Sequence, residues 1–306
     1  MLSSLVADFG MLDGIEVCTI RNVRLDRVDI GGCSIHDVAD GREEEATFRC
    51  LAGEADWTVV IAPEFDGLLL QRAGWVEGAG GRLLGPSPNL IALAADKDRA
   101  ARALRAADVP APGGHLLRPG QPLPADFPYP AVVKPNDGAG SLGMHLVRGP
   151  GATLPPSPKA RRLERYYCGT AASVAVLCGP TQQVPLAACR QELSQDGQFR
   201  YLGGVVPLSA PMGPRAQRLA LRAVHVLPDP LGYIGIDLVL GAAPDGADDV
   251  VIEINPRLTT SYVGLRAATD ANLASAMMTI AGGGQAAPSF HSEERHFTAT
   301  PVRQRK

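Results

Sequence analysis

Two apolar runs, YIGIDLVL (233–240) and VVIEIN (250–255), each carry a single acid, and that pairing restricts what the chain can build. A carboxylate inside strand-like sequence needs a compensating partner, so Asp237 and Glu253 are not accidental decoration. The turn signal Asp245-Gly246 lies between the runs and predicts an antiparallel hairpin. Side chains alternate along a strand, so Glu253 and Asn255 share a face and Arg257 follows just past the strand end. The hairpin brings Asp237 near Glu253, although a slip of one residue would turn it away. Two carboxylates and an amide oxygen are hard donors suited to Mg²⁺, and an adjacent arginine suits phosphate. For either acid alone, an ordinary sheet-edge pair with an arginine remains the alternative.

A second stretch, AVVKPNDGAGSLGMHLV (131–147), reads as a strand ending at Lys134-Pro135, a turn with Gly138, Gly140 and Gly143, and another strand. Closely spaced glycines let backbone N–H groups approach phosphate oxygens, and a lysine on the preceding strand adds a point charge. No Gly-Lys-Ser/Thr follows, which excludes a Walker A loop. The continuation MHLV reads as strand rather than helix, which argues against a dinucleotide fingerprint. Alone, this stretch would be a plain hairpin turn. With the downstream Asp…Glu-x-Asn-x-Arg pattern it is far more specific.

Together these motifs resemble the ATP-grasp superfamily, whose members fold a glycine-rich lid over ATP and bind Mg²⁺ through late acids and an asparagine. The resemblance runs in the family's order over roughly residues 55–280. It starts with Lys97 in AADKDRAARAL, Lys134 and the glycine loop. It continues through LERYYCGTAASVAVL (163–177) to Asp237, Glu253, Asn255 and Arg257. GTAASV, the Arg190-Gln191 pair, FRYLGGVVPL and EINPRLTTSYVGL are similar to one branch, the tyramine–glutamate ligases of methanofuran biosynthesis and their bacterial relatives. The resemblance implies an α/β chain that becomes α+β in its C-terminal part. A parallel N-terminal domain would span 1–92, a lid 93–165 and a mostly antiparallel catalytic domain 166–290, followed by a polar tail at 291–306.

It also implies roles. Asp237, Glu253 and Asn255 would hold Mg²⁺, with Mn²⁺ able to substitute. Lys97, Lys134, Gly138, Ala139, Gly140, Ser141, Gly143 and Asn255 would contact ATP. Glu164, Tyr166 and Tyr167 would form the hinge where adenine is read mainly by backbone groups. Arg257 and Lys134 would act on the transferred phosphoryl group. Glu64, Ser173, Gln191, Thr259, Thr260 and Ser261 are candidate substrate contacts. Capping is the simpler role for the last three, and a loop acid for Glu64. The implied reaction is ADP-forming amide synthesis between an amino-acid carboxylate, glutamate by resemblance, and tyramine or tyrosine. Another amino-acid or dipeptide ligase, a nucleotide-binding regulator and a small-molecule kinase are the rival readings.

Where the family begins with a strand and a glycine turn, this sequence opens on helix-like MLSSLVADFG, and Gly14 precedes a strand at 15–20. A first strand is therefore expected to be missing. The apolar face Leu2, Leu5, Val6 and Phe9 is expected against a reduced sheet or a second subunit. Further on, a helix is expected from the acidic run GREEEATFRCLAGEAD and strands from TVVIAP (58–63) and RLLG (82–85), before a Pro-Ser-Pro-Asn linker at 86–89. Asp96 caps a predicted helix to about Ala107. Strands are expected at SVAVLC, VPLAACRQ and the two acid-bearing runs, with helices at 214–227 and 261–280 and a loosely held tail from 285. Arg215, Arg218 and Arg222 fall on one helix face and read as solvated.

At 306 residues the chain can bury a sizeable core in two or three subdomains. Its net charge of −3 argues against nucleic acid or an anionic membrane as the main partner. It has no 18-residue apolar run and no signal segment, so a cytoplasmic enzyme is expected, with homo-oligomerisation left open. The six cysteines lack C-x-x-C spacing and are expected to be free, mostly buried thiols.

Overall fold

A computed structural model of the chain describes residues 1–25, 31 and 33–299. The first helix, α1 (Leu2–Gly10), buries Leu5 and Val6 and leaves Leu2 largely exposed. It packs on a late helix, α8 (Leu273–Ala281), so its apolar face is covered by the C-terminal part of this same chain. That differs from the sheet or second subunit expected, and the cause is polar as well as apolar. The buried Asp8 carboxylate accepts from the Tyr262 hydroxyl at 2.6 Å and pairs with Arg266 at 2.6 Å, while Asn272 donates to the Asp8 carbonyl.

The N-terminal unit holds a parallel pair, β1 (Cys18–Asn22) and β2 (Ser34–Val38), in register from Cys18↔Ser34 to Asn22↔Val38. Helix α2 (Gly41–Glu54) is capped by the Asp40 side chain, and α3 (Leu68–Gly78) packs against it. The runs at 58–63 and 82–85 are not strands: they meet in one parallel bridge, Thr58↔Leu83. Pro63 and Pro86, which lack an N–H, bound them, and Val60, Ala62 and Leu83 pack instead on Leu69, Ala73 and Ile91. The presumed linker at 86–89 opens a helix, α4 (Pro88–Ala95), with Ser87 as its cap and proline at its first position. Helix α5 (Lys97–Ala106) follows under an Asp96 cap.

A four-stranded antiparallel sheet comes next, in the order β3 (Gly114–Leu117), β6 (Arg161–Arg165), β4 (Ala131–Pro135), β5 (His145–Val147). The glycine-rich stretch joins β4 to β5, so the predicted hairpin forms.

The main sheet has seven antiparallel strands. In spatial order they are β12 (Val250–Asn255), β11 (Gly232–Leu240), β7 (Thr170–Cys178), β9 (Cys189–Leu193), β10 (Tyr201–Val206) and β13 (Arg295–Thr298), with β8 (Gln183–Pro185) also on β7. The two-residue alternation of its strands separates two faces. Ala172, Val174, Val176, Ile234, Ile236 and Leu238 pack on α4, α5 and α6 (Met212–His225). Ala175, Leu177 and Tyr233 pack on α1, α7 (Ser261–Ala267) and α8.

Four expectations fail locally. The run 184–191 divides into β8 and β9, because Pro185 ends the first and Leu186 N–H turns to the Ala175 carbonyl. The helix expected over 261–280 is two helices. Thr269 Oγ1 accepts from Ala271 N–H, and Asn272 caps a fresh start at α8. Part of the expected loose tail is β13, which pairs with β10 and buries Phe297; residues 300–306 of that tail lie outside the described residues. Arg215 is buried rather than solvated, paired with Asp249 and the Gly241 carbonyl, which ties α6 to the β11–β12 hairpin.

All six cysteines are free, but only Cys178 and Cys189 are buried, where desolvation pushes their thiols up to about 12. Among the described residues, no helix is long and apolar enough to cross a membrane.

Candidate functional site

The hairpin register decides the site. Asp237 lies directly opposite Glu253, and Gly235 opposite Asn255. A bulge follows at once, because Leu238 pairs with Val251 and Ile252 is the extra residue. The slip that would separate the two acids therefore does not occur. The bulged Ile252 carbonyl accepts instead from Lys134 Nζ at 3.3 Å.

Asp237 is fixed from both sides. Gln191 Nε2 donates to Oδ1 at 2.9 Å and Asn255 Nδ2 to Oδ2 at 3.0 Å. Burial, and then the facing Glu253 charge, push its carboxyl up to about 7. Glu253 is as deeply placed, and burial alone would raise it. Lys97, Lys134 and Arg257 outweigh that and hold it below the usual carboxylate range. The same strand pairing sets Ser173 on β7 opposite Asp237, buried on the same face.

Two lysines from different elements stand beside this pair, and one of them touches it. Lys97 stands at the first position of α5, and its Nζ lies 2.9 Å from Glu253 and bonds the Gly138 carbonyl. Lys134, near the end of β4 and 1% exposed, pairs with Glu164 at 2.6 Å. Glu164 is shared with Arg162 at 3.0 Å, and Arg162 also bonds Asp98 and the Pro112 carbonyl. The Glu164 side chain is thus committed to a buried ion-pair chain.

In the loop after β4, Gly140 (φ 65), Ser141 (φ 60) and Gly143 (φ 71) take left-handed backbone, which favours glycine. A Cβ at Gly138 would meet Pro135 at 3.1 Å. Ala139 is buried in the loop, and Leu142 is exposed beside it. The base of the loop is held from the N-terminal unit. Asp66 N–H donates to Asp137 at 3.2 Å, and Lys159 pairs with both acids. At the hinge after β6, Tyr166 stacks on Phe199 with ring centroids 6.0 Å apart, and Arg165 lies over Tyr167.

Arg257 sits past β12 with Nε 2.9 Å from Glu64, a 4% exposed acid of the N-terminal unit. Burial raises the Glu64 carboxyl above its ordinary range; Arg257 opposes that in part and Glu253 adds to it. Beyond Arg257, Thr259 Oγ1, Ser261 Oγ and the Tyr233 hydroxyl form a closed triangle of 2.8, 2.8 and 3.2 Å contacts. Thr260 occupies the cap position of α7 without a side-chain capping bond, so the simple capping role fails for it.

The structure therefore gathers Lys97, Lys134, Asp237, Glu253, Asn255, Arg257, Glu64, Ser173 and Gln191 around the end of one hairpin. Sequence reasoning missed Tyr233 and Arg162. Tyr233 stands four residues before Asp237, on the same face by strand alternation, and that signal was available. Nothing in the sequence tied Arg162 to Asp98.

The donor chemistry fits a hard divalent ion: two facing carboxylates plus an amide whose oxygen is left over once its nitrogen bonds Asp237. Among the described residues no group of three or more His, Cys, Asp or Glu side chains could hold a metal; the hard donors beside one another here are the two facing carboxylates and the Asn255 amide oxygen.

Residues 94–261 match the ATP-grasp domain model and residues 15–91 the pre ATP-grasp 3 domain model. The chain belongs to the ATP-grasp family and is an ATP-dependent ligase by class. It is 23% identical over 301 residues to the tyramine–L-glutamate ligase of Methanocaldococcus fervens, covering 97% of this chain and 91% of that one. Among solved structures, a putative ATP-grasp superfamily protein from Archaeoglobus fulgidus is similar with a TM-score of 0.65 at 26% identity, over 86% of this chain and 74% of that one. The L-amino acid ligase of Bacillus licheniformis gives 0.69 at 18% identity, over 90% and 70% of the two chains.

Proposed function

We propose that the chain joins the carboxylate of L-glutamate to tyramine or a related aromatic amine, as a step toward a methanofuran-like cofactor. The observation that supports the site assignment is Lys97 from α5 on Glu253 and Lys134 from β4 on the adjoining Ile252 carbonyl, both beside the facing Asp237–Glu253 pair and the glycine loop. In this reading, residues 1–92, 93–165 and 166–290 are the substrate-flanking, lid and catalytic units.

The carboxylate oxygen attacks the γ-phosphorus of ATP, and the bond to the β-γ bridging oxygen breaks, giving an acylphosphate and ADP. The amine nitrogen then attacks the acyl carbon; phosphate leaves and the nitrogen loses a proton, forming the amide. The chemistry needs positioning and charge neutralisation rather than a protein nucleophile. Asp237, Glu253 and Asn255 would hold Mg²⁺, whose positive charge offsets the negative charge that builds on the phosphates during transfer. Lys97 and Lys134 bind and orient the phosphates. The backbone of 138–143 closes over them and excludes water, with Ala139 and Ser141 as part of that backbone. Tyr166 and Tyr167 flank the base. Arg257 stabilises the phosphoryl group in flight. Gln191 keeps Asp237 in place, Ser173 lines the same face opposite it, and Thr259 and Ser261 offer hydroxyls to the carboxylate substrate, with Thr260 contributing backbone only.

The test is ADP release with L-glutamate and tyramine together, and the mass of the product. ADP that appears with both substrates, with the amide mass, supports the reading. ADP release independent of the amine would favour a kinase, and release with other amino-acid pairs only would favour a different ligase.

A further inference from the structure

Glu64 is the buried acid that the ligase chemistry above leaves without work. It is 4% exposed, and neither carboxylate oxygen has a hydrogen-bond partner. Arg257 Nε stands 2.9 Å from Oε1, yet it too lacks a hydrogen-bond partner, so the two charges attract off-line and leave each other's directional capacity unused. Burying a carboxylate with no donor is costly, and such groups are normally satisfied. Sequence placement makes the position deliberate. Asp66 (φ 56) and Gly67 (φ 67) turn the chain sharply after Glu64, and Lys159 and Asp137 of the lid unit hold that turn against the glycine loop. A second acid, Glu253, is near enough to raise the Glu64 carboxyl further. Two carboxylates, Glu64 and Glu253, thus stand near the single Arg257 guanidinium.

We propose that Glu64 seats a substrate alkylammonium group, so that the Glu64–Arg257 pair reads an ammonium and the reacting carboxyl together. An ammonium supplies the N–H donors that Glu64 lacks. Arg257 then turns its unused N–H edge toward the carboxylate or acylphosphate. The ammonium belongs either to the amino-acid substrate or to the incoming amine. This inference rests on the ligase reading and deepens it.

The experiment compares wild type with Glu64→Gln, which keeps volume and removes the charge. Two ligand pairs differ only in the ammonium: L-glutamate against glutarate, and tyramine against 4-ethylphenol. Melting shifts in the presence of Mg²⁺ and a non-hydrolysable ATP analogue are read first, followed by KM and kcat for ADP release. Wild type should prefer the ammonium-bearing member of one pair by roughly 10- to 100-fold, the range of a charge-assisted hydrogen bond, and Glu64→Gln should lose that preference. Loss on the glutamate pair assigns the amino acid, and loss on the tyramine pair assigns the amine. If Glu64 only braced Arg257, kcat would fall equally for L-glutamate and glutarate and the preferences would survive, which overturns the proposal. Equal binding of both members by wild type in both pairs also overturns it. Absence of ADP release while the binding preference persists would refute the ligase reading and leave this inference standing.

Discussion

Glu253→Gln sets two opposed energies against each other. The side chain sits 2.9 Å from Lys97 Nζ in a buried setting. Breaking such a pair by removing one charge costs about 3–5 kcal/mol. Against that stands Asp237, directly across the ladder, whose carboxyl lies at about 7 instead of 3.8. At about 1.4 kcal/mol per pKa unit, its charged form carries a penalty of about 4 kcal/mol, of which burial is the larger part. Removing the Glu253 charge therefore returns about 1–2 kcal/mol, and the glutamine oxygen can still accept from Lys97. A net loss of about 1–3 kcal/mol remains, a fall in Tm of about 2–5 °C for a chain of this size.

Activity follows a different rule. In the proposed site the substitution removes half of the anionic metal ligation and misplaces the γ-phosphate, so turnover should fall by at least about 100-fold. ADP release at saturating Mg²⁺, with melting curves on the same preparations, measures both. Activity within about threefold of wild type in a folded variant would refute the metal assignment. A Tm drop beyond about 8 °C would refute the offset between the lost pair and the relieved repulsion.

Three further outcomes are expected. Gly140→Val meets no neighbour within 4 Å, so its effect must come from the backbone at φ 65; it should raise the KM for ATP at least about tenfold and leave that for the carboxylate substrate within about twofold, and equal changes in both would reduce the loop to a turn. Arg162→Met leaves Glu164 with Lys134 alone and Asp98 with only the exposed Arg102, so it should cost about 2–4 kcal/mol in urea denaturation, and an unchanged midpoint would show the ion-pair chain to be idle. The raised Asp237 carboxyl means that the folded state holds its proton more tightly than the unfolded state between pH 3.8 and about 7, so its contribution is full below that window and is lost as pH rises through it. Wild type should therefore lose stability relative to Asp237→Asn between pH 5 and 8 in metal-free buffer, and a difference that is flat or of opposite sign would contradict the assignment.

The hairpin and its acids were legible in the sequence because each is a local pattern: an acid in an apolar run, a turn dipeptide, a period of two. The bulge at Ile252 was not, since it depends on how β12 fits β11 and on Lys134 taking the freed carbonyl from another sheet. The strand-like runs at 58–63 and 82–85 misled for a related reason: apolar β-branched residues satisfy a packed loop as well as a ladder, and the prolines nearby decided between them. Asp8 shows the limit of pattern reading most clearly. On α1 it looks like the polar face of an amphipathic helix, yet it is buried by Tyr262 and Arg266, more than 250 positions away in the chain. Lys97 had the profile of a surface lysine, and only the return of β12 beneath α5 made it an interior one.

The charges around the cleft also bear on how a nucleotide could be received. Five carboxylates, Glu64, Asp98, Glu164, Asp237 and Glu253, stand among four cations, Lys97, Lys134, Arg162 and Arg257. Arg162 is spent on Asp98 and Glu164, and Arg257 faces Glu64, so the lysines hold most of the positive charge available to phosphate. Lys97 in turn divides itself between Glu253 and the Gly138 carbonyl of the loop. A bare triphosphate would enter a locally negative pocket and compete with Glu253 for the same lysine, an unfavourable exchange at low dielectric. In the proposed site, a triphosphate that carries a divalent cation would change the sign of that exchange: the cation's charge would answer Asp237 and Glu253, and Lys97 would be free to move from carboxylate to phosphate while staying bonded to the loop. One lysine bonded at once to the glycine loop and to Glu253 would thereby couple occupation of the proposed metal position to placement of the loop over the phosphates.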